Sequence, residues 1–260
     1  MKLAFTKNDL LGAILTAGAL VVVAWMQQAS LKTLQTQAQE SLSPEVYQRE
    51  VAQLKPQLEI LAKMPSFGFD NVMGDWSFLQ FLQYFGDWRA RDVTGYDLSP
   101  NFFQVTVPRD PKFVRAYVFL STSTTLFAGQ PQITVDLMTQ GLKKLDPKVF
   151  DQAYLIWVYK AIDELLYLGN QKAAQHSYEM AAQWVSLQNT AKAKESAAFY
   201  QRMANFLRTN PDSKQAQINS WLMVLGNAVT GRGQQAAIEN LRRLGVNVTI
   251  DPGGNVKVEP

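Results

Sequence analysis

An internal repeat sets the strongest limit on the fold of this chain. Asp110-Pro111-Lys112-Phe113 recurs as Asp146-Pro147-Lys148-Val149-Phe150, so the two Asp-Pro pairs, at positions 110 and 146, lie 36 residues apart. Each copy opens an aromatic-rich run with helical periodicity. A period in this range is typical of stacked helical hairpins, in which each unit buries its apolar face against the next. The repeat therefore predicts an all-α array of antiparallel helical hairpins.

Two units of this array carry aromatic, small and glycine residues in a recurring order. The residues are Tyr117, Leu120, Ser121, Gly129 and the Leu145-Asp146-Pro147 close in the first unit, and Trp157, Gly169, Ala174, Tyr178 and Ala181 in the second. With these residues the chain resembles the tetratricopeptide repeat family over about residues 70–225. The spacing of 36 departs from that family's ~34, and Thr139-Gln140-Gly141 stands where a small–aromatic–small series belongs, so a different right-handed hairpin array stays open.

Further elements flank these two units. An earlier unit is predicted from Trp76, Leu79 and Gly86 to the Asp110-Pro111 close, and later helices over about 191–208, 215–227 and 234–244, with Gly231-Arg232-Gly233 as a break and Gly245 as a stop. Valines and isoleucine alternate with polar residues at Val246, Val248, Ile250, Val256 and Val258 around a turn at 251–255. This alternation predicts a small C-terminal β-hairpin.

The N-terminal segment predicts a membrane anchor. Residues 10–26 carry no charge and span about 26 Å as a helix, the short end of what a bilayer core requires. The apolar residues of this anchor are Leu10, Leu11, Ile14, Leu15, Leu20, Val21, Val22 and Val23, with Trp25 at its outer edge. A cleaved signal peptide is the alternative, because Lys2 and Lys7 form a basic segment ahead of the apolar run.

The same basic residues predict the orientation. Lys2 and Lys7 precede the apolar run and Lys32 alone follows closely, which places the N-terminus in the cytoplasm and exports the globular domain. That compartment is the periplasm, or the thylakoid lumen in a cyanobacterium.

Four segments follow from these patterns. Residues 1–29 form the transmembrane anchor, 30–66 a stalk and an amphipathic helix, 67–230 the tetratricopeptide-like domain, and 231–260 a helix plus the β-hairpin. In the second segment an apolar face recurs at Tyr47, Val51, Leu54, Leu58 and Leu61, with Pro56 as an expected kink. That face either packs on the domain or forms a short coiled-coil dimer seam.

Composition argues against several chemistries. The chain has no cysteine, which excludes disulfides and thiolate catalysis, and His176 is the only histidine. Its 25 basic and 22 acidic residues are interspersed, without the basic patch typical of nucleic-acid binding. Asp163 and Glu164 are adjacent and point about 100° apart on a helix, so they do not form an acid–base pair on one face. We therefore expect no enzyme, cofactor, metal or nucleic acid; a glycan hydrolase is the weakest alternative.

The segment from residue 67 to residue 103 is the candidate partner-binding region. It holds eleven aromatic residues, which either build the core of the first hairpin or form a surface groove. The candidate contact residues are Trp88, Arg89, Arg91, Tyr96, Phe102 and Phe103. These features predict a membrane-anchored, non-enzymatic scaffold or assembly factor that binds a protein partner. The alternative is a constitutive accessory subunit of a large photosynthetic, respiratory or envelope complex.

Overall fold

The structure is a computed structural model that describes residues 43–210, 214–227, 231–250 and 256–259. Apart from residues 43–48, these belong to one compact unit, Arg49–Pro260. Within the described residues the elements are eleven α-helices, one π-helical segment and two short strands, which confirms the all-α expectation. The predicted anchor, residues 1–29 with its apolar run at 10–26, lies outside the described residues. Among the helices that the structure does describe, none combines the length and hydrophobicity needed to cross a bilayer.

The elements follow one another with short connections. The helices are α1 (Pro44–Lys63), α2 (Asp70–Gly86), α3 (Trp88–Thr94), α4 (Ser99–Arg109), α5 (Ala116–Leu120), the π-helical segment π1 (Ser121–Phe127), α6 (Pro131–Leu142), α7 (Tyr154–Leu166), α8 (Gln171–Ser186), α9 (Ala191–Thr209), α10 (Lys214–Asn227) and α11 (Gly231–Arg243). The strands β1 (Asn247–Ile250) and β2 (Val256–Glu259) end the described chain.

Helix α1 continues through Pro56 to Lys63 as a single helix. Leu58 is buried in the core, and Val51 and Leu54 pack against that core, as the apolar spacing predicts. The end of α1 is held by Arg109, whose guanidinium donates to the carbonyl of Leu61 at 3.0 Å and to Asp70 at 3.1 Å. This arginine therefore joins the ends of α1, α2 and α4.

The first hairpin is built from α2 and α4, which pack along each other around aromatic rings. The ring centroids of Phe81 and Phe103 lie 4.6 Å apart, and those of Tyr84 and Phe102 lie 5.2 Å apart. The buried hydroxyl of Ser77 donates to the carbonyl of Phe102 at 3.1 Å. Rings at these separations contribute beyond their buried area, so this aromatic core fixes the hairpin.

The two Asp-Pro copies adopt the same turn. The Asp110 carboxylate accepts a hydrogen bond from the Lys112 amide at 3.1 Å, and the Asp146 carboxylate accepts one from the Lys148 amide at 2.9 Å. An aspartate that caps its own backbone two residues on favours a turn over a continuing helix. The repeat seen in the sequence is thus also a repeat of local structure.

The helices after the first turn pack as a series of neighbours. Helix α6 packs against α4, π1 and α7, while α8 packs between α7 and α9. Gly129 and Gly169, expected at the turns, both have positive φ angles of 66° and 61°, which L side chains rarely adopt. The connections from π1 to α6 and from α7 to α8 therefore each close through a left-handed glycine.

Three buried clusters stabilise the described unit. The first lies among α1, α2, α4, α5, α6 and the start of α7. The second lies among α7, α8, α9 and the start of α10, and the third lies among α10, α11 and β1. Trp157 packs against the first and second clusters, and Leu166 against the second and third. The core is thus divided along the chain and connected by shared side chains.

The C-terminal segment contains the expected helix and hairpin, with one correction. Gly231-Arg232-Gly233 does not interrupt a helix but forms the first turn of α11. Gly245 ends the helix with φ of 77°, and the Val246 amide donates to the Leu241 carbonyl, a common helix stop. Strands β1 and β2 pair antiparallel with Val248 opposite Val258.

Candidate functional site

Trp88 and Arg89 lie on the surface, as predicted. They begin the short helix α3, which is capped by the Asp87 carboxylate accepting from the Ala90 amide at 3.1 Å. Trp88 is 62% exposed, and the Arg89 guanidinium lies 5.3 Å from the centre of its ring. The cap fixes the start of α3, so these two side chains project from a defined position.

Arg91 departs from the expectation of an exposed contact residue. Its side chain is buried, with the guanidinium 3.6 Å from the centre of the Tyr84 ring and a hydrogen bond of 3.1 Å to the Gly95 carbonyl. A guanidinium stacked on an aromatic ring contributes to packing as well as to charge pairing. Arg91 therefore holds α3 against α2 and closes the loop to Gly95.

The remaining predicted contact residues lie inside the first hairpin. Phe102 and Phe103 are fully buried, because successive residues of α4 face α2 and the helices behind it. Tyr96 is half-buried, with its ring 5.2 Å from that of Phe85 and 4.8 Å from that of Phe127. The assignment of Phe102 and Phe103 as partner contacts is corrected accordingly: their rings are core.

A surface missed by the sequence reading runs along the outer face of α2. Phe69, Val72, Trp76 and Leu79, called here the apolar row, recur every three or four residues and are each more than half exposed. The opposite face of α2 buries Phe78 and Phe81. A helix that is apolar on both faces normally has a partner on both faces. The spacing of 3, 4 and 3 residues between members of the row is the sequence pattern that predicts a second apolar face on this helix.

The loop before α2 extends this surface. Phe67 is 85% exposed and has a φ of 50°, a conformation uncommon for a residue other than glycine. Gly68 follows with φ of 91°, and Met64 and Ile60 are also exposed. The loop thus adds apolar side chains beside the start of the apolar row.

A second candidate site is a buried group of charges on α7. Lys160 pairs with Glu164, and the Ser177 hydroxyl of α8 donates to Glu164 Oε2 at 2.6 Å while accepting from Lys160 Nζ at 3.3 Å. All three side chains are buried. The group joins α7 to α8.

Asp163 lies next to this pair but is engaged differently. Its side chain is 1% exposed, and Oδ1 accepts from the Ser121 hydroxyl at 3.1 Å. Burial raises the pKa of Asp163 to about 8, and the nearby hydroxyls of Ser121 and Thr125 oppose that shift only in part. Asp163 and Glu164 thus face different elements, π1 and α8, as their adjacent positions on a helix predict.

A cavity of about 30 Å³ opens beside Asp163. Its lining includes Ser121 and Thr122 of π1, Tyr159 in the middle of α7, Tyr167 just after that helix, and Val224 of α10. Segments of π-helix are rare and are found frequently at functional sites. The cavity therefore combines an unusual backbone segment with a buried carboxyl group.

His176 takes part in neither site. It is exposed on α8, and its ring lies 6.0 Å from that of Trp157 in an edge-to-face arrangement.

The array of neighbouring helices is compatible with a helical-repeat fold. No protein-family model, curated protein or solved structure matches the chain.

Proposed function

We propose that this protein is a membrane-tethered, non-enzymatic scaffold or assembly factor of the tetratricopeptide-like kind. In this proposal the segment from Leu10 to Met26 is a transmembrane anchor, and the helical unit binds a protein partner on the exported side of the membrane. The apolar row is the observation that carries the proposal. Four exposed apolar side chains on one helical face match the way in which an amphipathic helix enters a groove on another protein.

The composition of the surface favours a protein over a lipid surface as the occupant. Interfacial helices that bind lipid carry Lys and Arg on their flanks, whereas exposed Asp75 lies within the span of the apolar row. Trp76 is 55% exposed, and tryptophan is the residue type that most often dominates binding energy at protein interfaces. Trp88 and Arg89 add a second exposed tryptophan and a basic side chain nearby in the chain.

In-cell photo-cross-linking of the full chain tests this proposal. A photo-reactive residue at position 76 is expected to capture a defined protein, whereas one at position 201, exposed on α9, is expected not to. Replacing Val72 and Leu79 by Ser should abolish the cross-link from position 76, because the apolar contacts are removed while the buried face of α2 is untouched. Equal capture at both positions, or capture that survives these substitutions, would contradict the assignment of the apolar row.

The state of the captured protein separates scaffold from subunit. Sub-stoichiometric recovery of immature or precursor forms supports an assembly scaffold. Recovery of one large complex in fixed stoichiometry supports the alternative, a constitutive accessory subunit.

A further inference from the structure

Asp163 has no part in the proposed partner surface. The carboxyl lines the cavity between π1, α7, α10 and α11. Its Oδ2 has no hydrogen bond of standard length and angle to a described residue, and neither has the Thr125 hydroxyl, which acts on the same carboxyl and lowers its pKa. Buried polar atoms are nearly always hydrogen-bonded, so an unpartnered carboxyl oxygen beside unfilled space requires an explanation. The cavity is the place where a partner for Oδ2 can be held.

The basic side chain nearest to Asp163 on α7 already has its own partners. Lys160 is the nearest basic residue on the same helix, but it is engaged by Glu164 and Ser177. An ionised Asp163 therefore has hydroxyl groups but no free basic partner among the described side chains of α7 and π1, and a buried carboxylate without a counter-charge is strongly unfavourable. Burial, which disfavours the ionised form, is the main cause of the raised pKa of Asp163, about 8. Such a carboxyl group holds either a proton or a bound cation.

The size and lining of the cavity narrow the choice of cation. A cavity needs roughly 10–15 Å³ of space open to the centre of a water-sized sphere to hold one water molecule. The cavity of about 30 Å³ therefore accommodates about two non-hydrogen atoms. Tyr159 and Tyr167 are among the lining residues, and aromatic rings attract organic cations. Ser121 and Thr122 supply hydroxyl oxygens that can accept from an ammonium group.

We propose that this cavity is a binding site for a small primary ammonium cation, with Asp163 as its counter-charge and Tyr159 and Tyr167 as its aromatic walls. The site is independent of the apolar row, which lies on α2. Each can be tested without the other.

Thermal unfolding of the full-length protein in detergent tests the site with methylammonium, which has two non-hydrogen atoms. At pH 8.5 an alkylammonium is still protonated, as a lysine side chain of pKa ~10.4 would be. Methylammonium at about ten times its Kd is expected to raise the midpoint by about 3–6 °C in a saturable way. Methanol, of the same size but neutral, and sodium at equal ionic strength are expected to give no saturable rise.

Two variants assign the effect to the carboxyl. Asp163→Asn keeps the shape but removes the charge, and should weaken methylammonium binding by about tenfold or more. Asp136→Asn, a matched change on the exposed face of α6, should bind as the unaltered protein does. Equal shifts with methylammonium, methanol and sodium would overturn the proposal without reference to any variant. Undiminished binding by Asp163→Asn would overturn the role of Asp163.

Discussion

Gly141 shows how a single position can decide the distance between two helices. A Cβ atom at this residue of α6 would overlap the hydroxyl end of the Tyr117 ring, which is fully buried and donates to the Pro111 carbonyl at 2.9 Å. This contact explains why Thr139-Gln140-Gly141 departs from the small–aromatic–small series: the aromatic ring arrives from α5 and needs a glycine opposite it. Burial also raises the pKa of the Tyr117 hydroxyl, so it stays a donor.

Gly141→Ala is expected to destabilise the protein by about 2–3 kcal/mol, because a methyl group is forced into a filled space. Urea unfolding measures the change. Gly86→Ala is the matched control, since nothing lies within 4 Å of a Cβ at Gly86, and its effect should stay within about 0.5 kcal/mol. Similar changes for both variants would contradict a clash with Tyr117, because Ala favours a helix more than Gly does and helix propensity alone predicts no loss.

Asp163 makes stability depend on pH in the opposite sense to most carboxyl groups. Its pKa rises from 3.8 to about 8 on folding, so between these values the folded state binds more protons than the unfolded state. Stability contributed by the protonated group is fully present below about pH 4 and is lost as the pH rises towards about 8. The cause is burial, with Glu164 as a further negative neighbour, while the hydrogen bond from Ser121 acts in the opposite direction.

Asp163→Asn should therefore remove a decline in stability with pH. Relative to the unaltered protein, the variant is expected to gain on the order of a few kcal/mol between about pH 4 and pH 8, with no further gain above that range. Urea unfolding at several pH values gives the difference, and Asp136→Asn provides the exposed comparison. A difference that is constant with pH would show that Asp163 titrates normally.

At the scale of single elements, α2 is notable because one of its apolar faces is buried and the other is exposed. One face buries Phe78 and Phe81 against α4, and the other exposes Trp76 and Leu79. The sequence reading placed Trp76 and Leu79 in a repeat unit, where they would face a neighbouring helix. In the structure they face outward, which leaves an apolar surface without a partner among the described residues.

Alanine substitutions on the two faces of α2 should separate a role in stability from a role in partner binding. Phe81→Ala is expected to cost about 3–5 kcal/mol of unfolding free energy, because it leaves a cavity in the aromatic core. Trp76→Ala is expected to change stability by less than about 1 kcal/mol while abolishing partner capture. Chemical denaturation measures the first effect, and cross-linking from a photo-reactive residue at position 72, which is exposed in the same row, measures the second. A large loss of stability in Trp76→Ala would place that ring in the core.

The elements themselves were largely predictable, because apolar periodicity and Asp-Pro punctuation are local signals. The helix expected over about 191–208 is α9, and Gly129, Gly169 and Gly245 stand where the turns and the stop were expected. Arg91 could not be placed from sequence, since its burial depends on a ring of Tyr84 from another helix. The sites on α7 were missed for the same reason: Ser121 and Ser177 are distant in sequence from Asp163 and Glu164.

At the scale of the described unit, the core is a chain of three clusters and not one continuous interior. Only a few side chains, such as Trp157 and Leu166, belong to two clusters. In arrays of this kind stability is approximately a sum over units and the interfaces between neighbours. Local opening of one end is then possible without loss of the rest.

Leu241→Ala tests this division. Leu241 is fully buried in the third cluster, so its truncation should accelerate hydrogen exchange in α10 and α11 while α7 and α8 stay protected. Leu79→Ala, a matched change at an exposed position, should leave the exchange pattern unaltered. Uniform acceleration along the whole unit in Leu241→Ala would indicate one cooperative core.

The matching turns at Asp110 and Asp146 have a consequence for how such a chain can change length. Because each Asp-Pro pair folds its own backbone through an aspartate contact two residues on, entry into one unit and entry into the next use the same joint. A segment that begins at one joint and ends at the other is interchangeable at its ends. Duplication or loss of that segment would preserve both junctions. The length of the array can therefore vary in whole units without a new type of turn.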